Sequence, residues 1–222
     1  MSTTTTTQIT PTFAKLELRT GQGIVYRNVS TAPPRECSAD EVPVIDLSPM
    51  FSDLNARKSL AKTIKEAAEN TGFFYIKNHG INERIVEAAH AQAKAFFNLS
   101  EEEKERVNRS QSKYFNGWHR RQGPPISSST ALDNMEQFSW SYNPKYDPEV
   151  LDVDAISEDV RSHLPGEEFI WEGTQQMPNY KRDCIRYWQE NVQLARRLLR
   201  VFALGLDLPE TYFDNVTEHP GR

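Results

Sequence analysis

Gly72-Phe73-Phe74-Tyr75-Ile76-Lys77-Asn78-His79-Gly80-Ile81 is the stretch on which the reading of this chain turns. Its aromatic and β-branched residues at 73–77 predict a buried strand, and Asn78-His79-Gly80 predicts the tight turn that closes it. Gly80 supplies backbone geometry that other side chains disfavour, and His79 takes a structural role in that turn. Upstream, Val42-Pro43-Val44-Ile45-Asp46-Leu47 predicts a second short strand, one helix-length away. Leu60, Ala61, Ile64, Ala67 and Ala68 form the apolar face of that helix, opposite Lys62, Lys65, Glu66 and Glu69. Ser52 or Asp53 suits its start and Gly72 its stop. The order is strand, helix, strand. Asp46-Leu47-Ser48-Pro49 has no glycine, however, which argues against a phosphate-cradling dinucleotide fold.

Outward from this core, residues 1–12 are Thr-rich and predicted to be a flexible tail. Lys15–Val29 alternates around Gly21-Gln22-Gly23 as a hairpin would, and Thr31–Ser38 reads as a linker. Asn82 can cap a helix whose apolar face is Ile85, Val86, Ala89, Ala93, Phe96 and Phe97, and Ser100-Glu101-Glu102-Glu103 fits a capping box. Arg109–Ser129 reads as a polar and aromatic loop, Asn134–Tyr142 as a strand and Asn143–Pro165 as irregular chain. From near Pro178 a long helix is predicted, with Tyr180, Cys184, Tyr187, Trp188, Ala195, Leu198, Leu199, Phe202 and Leu206 in phase over about seven turns. Pro209 can open a final turn bearing Tyr212 and Phe213.

Hydrophobic residues make up 37% of the 222 residues and charged residues 26%, a balance that suits a globular protein. A net charge of −5 gives no reason to expect nucleic acid or an anionic membrane as partner. Cys37 and Cys184 show no pairing motif, which fits reduced thiols and a cytoplasmic setting, and Cys184 falls on an apolar helix face. No apolar run approaches a membrane span, and Met1–Thr7 lacks the basic start and apolar core of a secretory signal.

The ordered motifs resemble the amino-terminal region of the iron(II)/2-oxoglutarate-dependent oxygenases, the isopenicillin N synthase-like group. Val42–Leu47 is similar to the family's opening strand, Gly72–Ile81 to its amino-terminal signature, and Ala95–Lys104 to a helix end followed by an acidic turn. Asn116-Gly117-Trp118 stands where a Gly-Tyr pair is usual, and Asp133–Phe138 matches an Asp-x-x-Glu-x-Phe stretch. Leu204-Gly205-Leu206 with Tyr212-Phe213 resembles the end of a long scaffold helix. The resemblance implies an α+β fold: the amino-terminal helices and strands of a jelly-roll (double-stranded β-helix) oxygenase, with most of the barrel missing. It divides the chain into a flexible tail and hairpin at 1–40, a non-haem dioxygenase amino-terminal domain at 41–165, and a scaffold helix at 166–222 leading to the barrel.

In that family iron is held by a His-x-Asp pair and a distant His, and an Arg-x-Ser pair binds 2-oxoglutarate. Two imidazoles and a carboxylate on one face of iron leave its other positions open. The residues two places after the five histidines are Ile81, Gln92, Arg121, Pro165 and Gly221, none acidic. Arg57-Lys58-Ser59 has the second spelling but lies in the first helix, where it reads as coincidence. The chain reaches Arg222 ahead of the expected ligands, so no catalytic or metal residue is assigned. Iron(II) and 2-oxoglutarate are expected for a full-length relative and not for this chain.

The resemblance also implies that the Tyr114–Arg121 region approaches the mouth of a barrel. Tyr114, Trp118, His119, Arg120 and Glu136 are therefore the substrate-binding candidates. An exposed basic loop is the competing reading for His119 and Arg120, and a surface or hydrogen-bonded carboxylate for Glu136. Lys181, Arg182, Arg186, Arg196, Arg197 and Arg200 are expected to form a solvated face of the long helix. Two functional readings follow. One is a small-molecule oxidoreductase represented by an incomplete chain, inactive alone and prone to self-association through apolar surface the barrel would cover. The other is a complete, non-catalytic binding module.

Overall fold

The computed structural model describes residues 12–33, 36, 38, 41–123 and 133–217; the first eleven residues, Cys37 and His219 lie outside them. The chain divides into two compact units, one drawing on Met1–Cys37 and Arg120–Met135, the other on Ser38–His119 and Glu136–Arg222.

In the first unit, β1 (Phe13–Thr20) and β2 (Gly23–Ser30) pair antiparallel, as the alternation around Gly21-Gln22 predicts. Gly23 takes a φ of 114° at the end of this two-residue turn, where a side chain would be strained.

The second unit opens with β3 (Val44–Asp46), α1 (Leu54–Asn70) and β4 (Tyr75–Lys77), the two strands lying parallel in register Val44–Tyr75, Ile45–Ile76 and Asp46–Lys77. Asp53 starts α1 by accepting a 2.9 Å hydrogen bond from the Ala56 amide. Gly72 ends this region at a φ of 78°. The predicted strand over 73–77 is shorter than expected. Tyr75 N–H still reaches the Pro43 carbonyl at 2.9 Å, but Pro43 has no N–H to extend the ladder towards Phe73. Nor is it a buried strand. Ile45 and Ile76 face the core, while Val44 and Tyr75 share the other face, and they and Phe73 are 59%, 66% and 74% exposed. Ala68 also falls outside the buried stripe of α1, which is Leu60, Ala61, Ile64 and Ala67.

Next come α2 (Glu83–Phe97), capped by Asn82, and α3 (Glu101–Glu105), whose capping box joins Ser100 and Glu103 reciprocally. Phe96 is buried, whereas Phe97 stays partly exposed. The expected loop after Arg109 contains a strand instead: β5 (Gly117–Gly123) pairs with β6 (Asp133–Ser139). Polar residues such as His119 and Gln122 hide its alternation, and the ladder to β6 sets it rather than an apolar period. Short helices α4 (Glu158–Arg161) and α5 (Phe169–Glu172) precede α6 (Tyr180–Gly205). Among the described residues the strands form three two-stranded sheets.

Two clusters fill the second unit. One is aliphatic, with Ile45, Leu47, Leu60, Ile64, Leu194 and Val201. The other is largely aromatic, with Phe96, Trp118, Ile170, Trp171 and Tyr180. The predicted phase of α6 slips at mid-helix: Leu194 and Val201 are buried, whereas Ala195 and Leu206 are exposed. The helix packs against α1 and α2, so its apolar surface is wider than one stripe.

The cations of α6 are not a uniformly solvated face. Arg196 is largely buried and grips the fully buried Asp147 side chain at 2.8 and 2.5 Å, and the Tyr142 hydroxyl donates to the same carboxylate at 2.8 Å. This knot ties the irregular 143–165 segment to the helix. Burial by itself would raise the Asp147 carboxyl, but hydrogen bonds from Arg196, the Glu149 amide and Tyr142 outweigh it and hold it below its ordinary value. A depressed carboxylate contributes stability that is present above its unfolded value, about 3.9, and lost as pH falls through the folded value. Asp147→Asn should cost about 3 kcal/mol near pH 7, and its deficit against the parent chain should narrow below about pH 4 in urea melts across pH.

Phe74 packs against the aliphatic cluster, while Phe73 points to solvent. Phe74→Ala should therefore destabilise by roughly 2–4 kcal/mol and Phe73→Ala by less than about 0.5 kcal/mol. Equal losses in urea melts of the two variants would contradict this packing.

Candidate functional site

Of the candidate residues, the structure joins Trp118 and Glu136. Glu136 Oε2 accepts hydrogen bonds from the Lys104 ammonium at 2.8 Å and from the Trp118 indole Nε1–H at 3.1 Å. Lys104 is turned inward by α3 and almost wholly buried; its Nζ also lies 3.4 Å from the Phe97 carbonyl and 5.5 Å from the Trp118 ring centroid. A desolvated ammonium is tolerated only with such partners: a carboxylate, a carbonyl and a π face.

Gly117 positions Trp118. Its φ is 104°, and a Cβ there would lie 2.3 Å from the Val107 carbonyl oxygen, the acceptor of a 2.7 Å hydrogen bond from Trp118 N–H. Beside it Asn116, fully buried, donates to the Pro165 carbonyl at 2.8 Å and to Glu167 at 2.7 Å, and accepts from Ser141 N–H at 2.6 Å. Burial opposes ionisation of Glu167, but the Ser112 hydroxyl, the Asn116 amide and the Lys113 backbone hold its carboxyl below the ordinary value.

The remaining candidates do not join this group. Tyr114 is part-exposed in a turn next to Phe115, whose ring lies 4.5 Å from the Arg109 guanidinium. His119 is half-buried in β5, and Arg120 belongs to the other compact unit.

Lys104, Asn116 and Glu167 were not singled out by sequence. One signal was available for Lys104. Glu136 and Phe138 stand two apart on a strand and so share a face, and a carboxylate on a core-facing side requires a cation.

The histidines are engaged separately. His79 Nδ1 accepts the Ile81 amide at 3.2 Å, His163 contacts the Asp159 carbonyl at 2.7 Å, and His90 is exposed on α2. Among the described residues no three His, Cys, Asp or Glu side chains gather as a metal would require. Arg57 is clamped on Glu210 at 2.6 and 2.9 Å and on the Ser52 carbonyl at 2.5 Å, so the Arg57-Lys58-Ser59 spelling is no carboxylate site. The described residues therefore fit neither an iron triad nor the 2-oxoglutarate clamp.

Residues 42–159 match the family model described as non-haem dioxygenase in morphine synthesis, N-terminal. The chain belongs to the 2-oxoglutarate–iron(II) oxygenase family. This family member is 35% identical over 221 residues to the 2-oxoglutarate-Fe(II) type oxidoreductase ppzC of Metarhizium rileyi, covering 99% of the chain and 59% of the relative. It is 27% identical over 181 residues to the isopenicillin N synthase of Streptomyces jumonjinensis, covering 78% of the chain and 50% of the relative. It thus spans between half and three-fifths of the length of these relatives. A 2OG-Fe(II) oxygenase family protein from Caulobacter crescentus shares the fold, with a TM-score of 0.61 at 18% identity over 78% of the chain and 51% of that structure. So does JOX2 in complex with 2OG, Fe and JA, with a TM-score of 0.53 at 23% identity over 80% of the chain and 45% of that structure.

Removing one partner of the buried pair strands the other. Glu136→Ala should destabilise this family member by about 3–5 kcal/mol, whereas Lys104→Met combined with Glu136→Leu should cost clearly less than the sum of the two single changes. A double-mutant cycle in urea checks the coupling.

Proposed function

We propose that these 222 residues are the amino-terminal scaffold and one wall of the substrate pocket of an enzyme that oxidises a small molecule by hydroxylation, desaturation or ring formation. The observation that carries this reading is the match to ppzC along 99% of the chain. The residues that hold iron and 2-oxoglutarate in the family have no counterparts here: no histidine is followed two places on by an acid, and Arg57 is committed to Glu210. The 222 residues alone therefore carry no oxygenase activity.

Residues 41–165 form the amino-terminal domain in this reading, and 166–222 provide the helix against which a jelly-roll barrel packs. Trp118, whose register is set by Gly117, is assigned with Tyr114 and His119 to the substrate side. Glu136 acts through Lys104 and Trp118 by fixing that wall. The open apolar face of Val44, Phe73 and Tyr75 supports self-association of the 222-residue chain. No helix among the described residues is long and apolar enough to cross a membrane. The buried Cys184 thiol supports a cytoplasmic setting.

The test is anaerobic titration calorimetry of the 222-residue chain with iron(II) and with 2-oxoglutarate, together with an aerobic assay for succinate. We expect no stoichiometric binding and no succinate above a protein-free control. Stoichiometric iron binding abolished by His79→Ala or His119→Ala would overturn the reading.

A further inference from the structure

A groove of about 330 Å³ lies between α2 and α6 within the second unit. Ala89 and Ala93 leave the space on the α2 side, and the rings of Phe138, Trp140 and Tyr187 line it elsewhere. No Lys, Arg, Asp or Glu lines it. Cys184 on its α6 side is held as the neutral thiol, burial pushing its pKa up to about 12. Apart from the His90 imidazole and the Tyr180 and Tyr187 hydroxyls, the lining is therefore apolar, at the small end of the range for ligand pockets.

Tyr180 departs from that chemistry. It is 2% exposed and lines the groove, yet no described residue makes a hydrogen bond to its hydroxyl. Its ring is fixed by stacking on Phe96 at 5.3 Å and by edge contact with Phe138 at 5.5 Å, so the hydroxyl is held in place without a partner. The hydroxyl opens on the groove without a partner among the described residues, so an acceptor on a ligand can take it in exchange for water, at the modest net gain of a neutral hydrogen bond.

We propose that this groove binds a flat, neutral, largely apolar small molecule that presents a carbonyl-type acceptor to the Tyr180 hydroxyl. The aromatic walls select flat apolar surface, the absence of Lys, Arg, Asp and Glu from the lining disfavours ions, and Tyr180 sets the orientation. This goes beyond the oxygenase reading, since it needs neither iron nor 2-oxoglutarate, and its test contains neither.

The probes are 2-acetylnaphthalene and 2-ethylnaphthalene, near-identical in shape, of which only the first carries the acceptor. Quenching of intrinsic tryptophan fluorescence in the 222-residue chain reads binding, since Trp140 lines the groove. The expected result is saturable one-to-one binding of 2-acetylnaphthalene, about three- to tenfold tighter than 2-ethylnaphthalene. Tyr180→Phe, which deletes only the unpaired oxygen, should erase that preference and keep the fold by circular dichroism. Ala93→Phe should fill the groove and abolish binding of both probes. Failure of the parent chain to saturate, a preference that survives Tyr180→Phe, or binding that survives Ala93→Phe would each overturn the proposal. So would a dimer in sedimentation equilibrium that excludes the probes and is dissociated by Ala93→Phe, because the groove would then be a contact between copies of the chain.

Discussion

The second unit depends on one helix serving two cores. The first turns of α6 give Tyr180 and Cys184 to the aromatic cluster, and its later turns give Leu194 and Val201 to the aliphatic one. Neither cluster is closed without it. The helix spans 26 residues, about 39 Å at the usual rise, so it transmits its orientation from one cluster to the other. Near its C-terminal end Gly205 lets α1 approach closely: a Cβ there would meet the Ala61 carbonyl oxygen at 3.3 Å. Geometry set at that crossing is thereby linked to the position of Tyr180, about seven turns away.

Where periodicity fails, charge takes over. The segment after Asn143 has almost no apolar repeat, yet it is fastened through Asp147 to Arg196 and through Glu168 to Tyr146 and Lys181. The turn before β5 is likewise fastened by Asn116 and Glu167 rather than by an apolar stripe. Buried polar partners contribute little net stability when compared with apolar side chains that fill the same space, but they tolerate few alternative arrangements. A chain built this way gains a defined loop conformation from residues that look like ordinary surface charge.

That explains which parts of the structure could be read from the sequence. Asp53, Asn82 and Ser100 were legible as helix starts because capping is local, decided within three residues. The β1–β2 hairpin and the existence of α6 were legible from short-range periodicity. The strand at Gly117–Gly123 was not, because its pairing partner lies beyond the intervening segment and its own residues are polar. Ala195 falls in phase with the apolar face of α6 yet is exposed, because two neighbouring helices, not one, decide what is buried. Of the candidate site, Trp118 and Glu136 were named but their link was hidden, since Lys104 sits among glutamates and reads as solvated charge. Tertiary pairings of this kind leave no local signature.

Gly117 has a consequence for anyone who would alter this chain. Its lack of a side chain leaves room for the Val107 carbonyl oxygen that accepts from Trp118 N–H, and no rotamer choice relieves a clash with backbone. Alanine, the mildest substitution, already has the offending carbon. In a library that randomises residues 105–120 and is sorted for folded protein, position 117 would return glycine alone. Genetic information is therefore concentrated in the smallest residue of the segment rather than in the large aromatic it positions.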